Sequence, residues 1–146
     1  MPDLPDLAAV SAVRAAPRSR GPLLAALALT LVAGVATTRL PASAGAVGDS
    51  AGDGLYAVAV WLVLALLAPR TRTLVLTSTA FGLCALVELA QLTGGPAAVV
   101  DAFPPARYLL GTTFVATDLL AYAVGSLAAT ALDLRLPRRA PVSAPG

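Results

Sequence analysis

Glu88 and Gln91 lie near the end of an almost wholly apolar run, TLVLTSTAFGLCALVELAQLT at Thr73–Thr93, and Asp118 lies inside a second such run. At mid-membrane one acidic residue costs about 2.5–3.5 kcal/mol, while each Leu, Val or Phe returns about 0.3–0.6 kcal/mol. The host segment can carry one acid with little margin, so each acid calls for a reason and a partner. Arg39 and Arg107 stand at the mouths of neighbouring apolar runs, where a long guanidinium side chain reaches inward toward a carboxylate. Asp53 falls at the same level. The expected constellation is Arg39, Asp53, Glu88, Gln91, Arg107, Asp118 and Tyr122. Its chemistry would be an acid/base pair or proton relay on Glu88 and Asp118, or a polar pocket. The competing reading is a polar lock that only sets helix pairing.

Helical spacing supports a convergence of these residues. Thr77, Phe81, Cys84, Glu88 and Gln91 recur at steps of three and four, so one face of that segment is polar, small or aromatic. Asp118, Tyr122 and Gly125 share a face in the same way. Ala121, Gly125 and Ala129 form a small-residue stripe suited to close helix approach, either within the chain or in a homo-oligomer.

These residues require four membrane spans to position them. The expected fold is all-α, a polytopic membrane bundle of four transmembrane helices at about 22–38, 53–68, 73–93 and 108–132. A basic tail over 1–21 and a second tail over 133–146 are expected to be disordered and cytoplasmic. Ala42–Ala44 resembles a small-residue cleavage site, which makes a removed signal peptide the competing reading of the first apolar run. Gly45–Gly54 reads as a glycine-rich loop without the Lys–Ser/Thr ending of a phosphate loop. Residues 97–106 read as an ordered loop or a short interfacial helix. Tyr56 and Tyr108 suit the interfacial belt.

Composition agrees with lipid as the solvent: 58% of the 146 residues are hydrophobic and 12% charged, far from soluble domains. The ten basic residues are all Arg, a pattern of GC-rich bacterial coding. Eight of the ten lie in the two tails and the Arg70/Arg72 loop, which places both termini in the cytoplasm of a bacterial plasma membrane by the positive-inside bias. No groove-binding motif accompanies them, so no nucleic-acid partner is expected. Cys84 is the single cysteine and His is absent, so intrachain disulfides are excluded, and neither a metal site nor a cofactor is expected.

The order of Thr38–Arg39, Gly52–Asp53, ELAQL at Glu88–Leu92, Arg107, and Leu110, Gly111, Phe114, Asp118, Tyr122 and Gly125 resembles the bacterial integral-membrane family DUF2809, itself similar to the VanZ-like proteins. The resemblance runs from about Leu31 to Asp133. In the VanZ-like pattern Asn stands where this chain has Tyr122, and a His absent here follows the first Asp. The resemblance implies the four-span fold and, through VanZ-like proteins, an association with low-level glycopeptide resistance. With no nucleophile constellation, a non-enzymatic envelope component is expected, its outward pocket receiving a lipid head group, a lipid-linked intermediate or a membrane-protein partner. The alternative is a proton or solute pathway.

Overall fold

A computed structural model describes residues 17–41, 45–111 and 113–135. Residues 1–16 and 136–146 of the expected tails 1–21 and 133–146, the Ala42–Ala44 motif and the side chain of Tyr108 lie outside the described residues. The chain is all-α: α1 Arg20–Thr37, α2 Gly45–Leu67, α3 Thr73–Gln91, α4 Gly95–Ala102, a 3-10 turn Pro104–Ala106, α5 Arg107–Leu110 and α6 Asp118–Arg135. Of these, α1, α2 from Val47, and α3 are long and apolar enough to cross a membrane.

α2 is the central helix, packed against α1, α3 and α6, while α3 also packs on α6. A layer of Leu23, Trp61, Leu62, Ala65, Leu76, Ala80 and Ala129 forms one buried cluster, and Ala57, Cys84 and Tyr122 form a second. Tyr56 is no simple belt residue, since its ring centroid lies 6.2 Å from that of Tyr122 inside the bundle. Outside, Leu29, Val32, Val35, Leu74, Leu86, Leu120, Val124 and Leu127 are exposed. Such a surface is costly in water and costs nothing in lipid, so the chain is a multi-pass membrane protein.

Three expectations need correction. The glycine-rich stretch from Gly45 is no loop but the first turns of α2. Glycine weakens an isolated helix, yet here it lets neighbours approach. A Cβ at Gly125 would run into the Gly54 carbonyl oxygen and lie 2.9 Å from its carbon and 3.0 Å from its Cα. The small-residue stripe is therefore spent within the chain, with Ala129 also buried.

The last apolar run is not one helix. α5 stops at Leu110, Gly111 takes φ 59 and ψ −172, and α6 starts only at Asp118. That backbone region is almost closed to any residue but glycine, and a Cβ at Gly111 would stand 2.6 Å from the Gln91 side-chain nitrogen.

Arg18 and Asp133, assigned by sequence to the two tails, are joined in a buried ion pair with side-chain exposures of 4% and 3%. Arg18 Nε donates to Asp133 Oδ1 at 2.6 Å and Nη2 to Oδ2 at 2.7 Å. Nη2 also donates to Thr73 Oγ1, and Nη1 to the carbonyls of Thr71 and Pro69. Thr73 Oγ1 donates to Asp133 Oδ2 at 2.6 Å, and the guanidinium stands 5.5 Å from the Trp61 ring centroid. Burying an unpaired cation is prohibitive, so the position is tolerable because each of the five N–H groups has an acceptor. This clasp ties the start of α1, the α2–α3 connection and the end of α6 together at one end of the bundle.

Gly125→Ala is expected to destabilise the bundle by about 1–3 kcal/mol, because overpacking against backbone has no flexible neighbour to yield. Gly34→Ala, where an added Cβ meets nothing within 4 Å, serves as the control. Unfolding in detergent, followed by Trp61 fluorescence, measures both.

Candidate functional site

At the end of the bundle opposite the Arg18 clasp, the end of α1, the start of α2 and the start of α6 enclose a recess of about 420 Å³. Its walls carry the carboxyls of Asp49, Asp53 and Asp118 and the hydroxyls of Thr37, Thr38, Ser50 and Thr117. Gly48, Gly52 and Val115 complete the lining, and among the described residues no basic side chain is part of it. Thr37 and Thr38 turn their hydroxyls back onto the carbonyls of Gly34 and Val35, each at 2.7 Å. This closes the last turn of α1, whose carbonyls have no further helical donors. Gly52 leaves room for Thr37, whose Oγ1 would stand 3.3 Å from a Cβ there. Asp53 and Asp118 are in side-chain contact across the α2–α6 junction, with Asp49 and Glu88 within electrostatic reach.

Glu88 lies behind the recess and is 1% exposed. Its Oε1 accepts from the backbone N–H of Val115 at 2.6 Å and its Oε2 from the Tyr122 hydroxyl at 3.1 Å. One helical turn on, Gln91 Nε2 donates to the carbonyl of Leu110 at 2.6 Å. The two α3 side chains thus hold the non-helical backbone between α5 and α6 from both ends, one as acceptor and one as donor. Irregular backbone at membrane depth is tolerated where protein groups replace the missing helical partners, and Glu88 and Gln91 supply that replacement. The Oε1 of Gln91 is itself buried with no partner among the described residues.

The expected constellation is therefore divided. Asp53 and Asp118 meet in the recess, while Glu88, Tyr122 and Gln91 form its supporting wall. Neither arginine joins them in the expected way. Arg39 is exposed, and Arg107 lines a second recess of about 570 Å³ with Val100, Asp101, Pro104 and Gly111. Glu88 is satisfied by a backbone N–H and a phenol in place of a guanidinium. The physical reason is the break between Gly111 and Asp118, which frees the Val115 N–H to donate to Glu88 at 2.6 Å. Phe81, placed by spacing on the inward face of α3, is 37% exposed. Among the described residues no group of three or more His, Cys, Asp or Glu is arranged to hold a metal ion.

Sequence reasoning missed Asp49, Thr37, Thr38, Ser50 and Thr117. The signal available for Asp49 was its four-residue spacing from Asp53, which puts both on one face if the glycine-rich stretch is helical.

Residues 42–126 match the family described as "Protein of unknown function (DUF2809)", a span that covers α2 to α5 and the first half of α6. No curated protein and no solved structure matches the chain.

Glu88→Leu removes the acceptor of the part-buried Val115 N–H, a loss of about 0.5–1.5 kcal/mol. The expected outcome is faster hydrogen exchange confined to residues 113–117 and the first turn of α6, with exchange in α1 unchanged. Equal acceleration throughout the bundle would show that Glu88 has no local role.

Proposed function

The chain belongs to the DUF2809 family, and from that membership together with the geometry of the recess we propose that it is a non-enzymatic envelope component that receives a head group between α1, α2 and α6. In this reading α6 is the fourth span. Its 18 residues rise about 27 Å, near the thickness of a hydrocarbon core, and Leu120, Val124 and Leu127 give it an exposed apolar face. Arg18, Arg20, Arg70, Arg72 and Arg135 share the clasp end, which the positive-inside bias assigns to the cytoplasm with both termini. The recess then opens to the outside.

The observation that carries the proposal is the recess lining: three carboxyls and four hydroxyls, with no cation among the described residues. Such a lining repels a bare phosphate and favours an amine or a polyhydroxylated group, as in an amino-bearing lipid head group or the sugar of a lipid-linked intermediate. The VanZ-like order of acidic residues is in keeping with an envelope role. The expected result is that phosphatidylethanolamine raises the thermal stability of the purified protein more than phosphatidylglycerol does. Asp53→Asn with Asp118→Asn should abolish that preference. Equal stabilisation by both lipids in the unsubstituted protein would sink the idea.

A second reading, a proton pathway through Glu88 and Asp118, is favoured by one observation, the broken run between α5 and α6. Discontinuous membrane helices commonly line ion and substrate sites. Vesicles holding the protein should pass protons under an imposed potential faster than empty vesicles, and Glu88→Gln should remove the difference. Identical rates for protein-bearing and empty vesicles would exclude it.

A further inference from the structure

α6 presents an oxygen-bearing side chain on one face at every turn: Asp118, Tyr122, Ser126, Thr130 and Asp133. Each four-residue step advances about 6 Å along the axis. α3 supplies facing partners: Tyr122 bonds Glu88, Thr130 bonds Thr77, and Asp133 bonds Thr73. Trp61 of α2 donates to Thr77 at 3.3 Å, closing the seam on its third side. A polar seam therefore runs from the recess at one end of the bundle to the Arg18 clasp at the other. Midway lies Ser126, 0% exposed, whose hydroxyl has no partner among the described residues. In a seam that only paired helices, an unpaired buried hydroxyl would be pure cost and alanine would pack as well.

We propose that this seam carries protons between the recess and the clasp, and that the Arg18–Asp133 pair is its gate. The proposal deepens the proton-pathway reading above and rests on it. A proton that enters by Asp118 passes to Glu88, and it leaves the Glu88 carboxyl toward Tyr122 as one O–H bond breaks and a new O–H forms on the next oxygen. Water entering from the recess carries it between side chains too far apart to touch. The last acceptor is the Asp133 carboxylate. Arg18 and Thr73 are among the groups facing it, and Arg18 in turn is held by the Pro69 and Thr71 carbonyls and the Trp61 ring. Neutral Asp133 offers Arg18 ordinary hydrogen bonds in place of charge-assisted ones, so the guanidinium releases. The proton then departs to water on the clasp side, and the re-formed carboxylate binds Arg18 again. Every O–H bond made is matched by one broken, and no electrons move. While closed, the fixed guanidinium repels protons, as cations do in other selective pores.

The test is proton flux in phosphatidylethanolamine/phosphatidylglycerol vesicles with a pH-sensitive dye inside and a potassium diffusion potential. Arg18→Gln should raise flux several-fold over the unsubstituted protein, and Thr73→Val, which keeps the ion pair, should raise it less. Adding Glu88→Gln to Arg18→Gln should return flux to that of empty vesicles. If Arg18→Gln is monodisperse and no faster than the unsubstituted protein, the gate is wrong while a measurable basal flux keeps the pathway. If Arg18→Gln does not fold, Thr73→Val decides, and an unchanged rate overturns the gate. Flux that survives Glu88→Gln is an unspecific leak and overturns the seam. No flux in any variant overturns both seam and pathway.

Discussion

Arg18 occupies a position that is permissible only because it is completely satisfied. A guanidinium carries five N–H donors and no acceptor, and here each donor ends on Asp133, Thr73 or a carbonyl of the α2–α3 connection. Those acceptors come from two separate stretches, residues 69–73 and Asp133, and Arg18 itself from a third, so the bundle closes at this end only when all three arrive together. The stability of the pair is conditional: removing either charge leaves the other buried, at about 3–5 kcal/mol. Helix register follows from the same contact. With α6 fixed at Asp133, Gly125 meets Gly54 and Asp118 arrives beside Asp53.

The opposite end is organised by a different constraint, the need to satisfy backbone where the last apolar run breaks. Gly111 supplies the conformation, and Glu88 and Gln91 supply the hydrogen bonds. The break costs helix and yields shape: it sets Val115, Thr117 and Asp118 into the wall of the recess. A continuous helix from 108 would have no loop there to line it. The two ends also differ in charge, with arginines gathered at the clasp and Asp49, Asp53 and Asp118 at the recess. A membrane-spanning protein with this asymmetry presents its acidic, hydroxyl-rich recess on one side only.

The seam between α3 and α6 connects these two regions. Its rungs are close contacts between side chains that would each be expensive in lipid and together form one internal polar surface. The clasp, the seam and the recess are therefore consecutive polar parts of the α3–α6 side of the bundle, beside the buried apolar clusters around Trp61 and Ala57. A head group at the recess and a proton in the seam would both act on the Asp118 region, which makes that junction the place where binding and conduction would influence one another.

Much of this was legible in the residues themselves. Three long apolar helices, the inward faces of α3 and α6, and the isolation of Glu88, Gln91, Asp118 and Tyr122 all follow from composition and helical spacing, which depend on local chemistry alone. The partners did not follow. Arg18 and Asp133 are 115 positions apart, and a lone Arg in a Pro-flanked basic stretch carries no local mark of burial. The glycine-rich start of α2 has poor helix propensity, and only its packing against Thr37 and Gly125 explains why it is helical. Glu88 suggested a guanidinium because charge is visible in a sequence, whereas the backbone N–H that it binds belongs to every residue and is invisible there. Sequence determined which groups must be satisfied, because that cost belongs to each side chain. Tertiary structure alone decided what satisfies them, because long-range approach and a broken helix create donors and acceptors that no local pattern records.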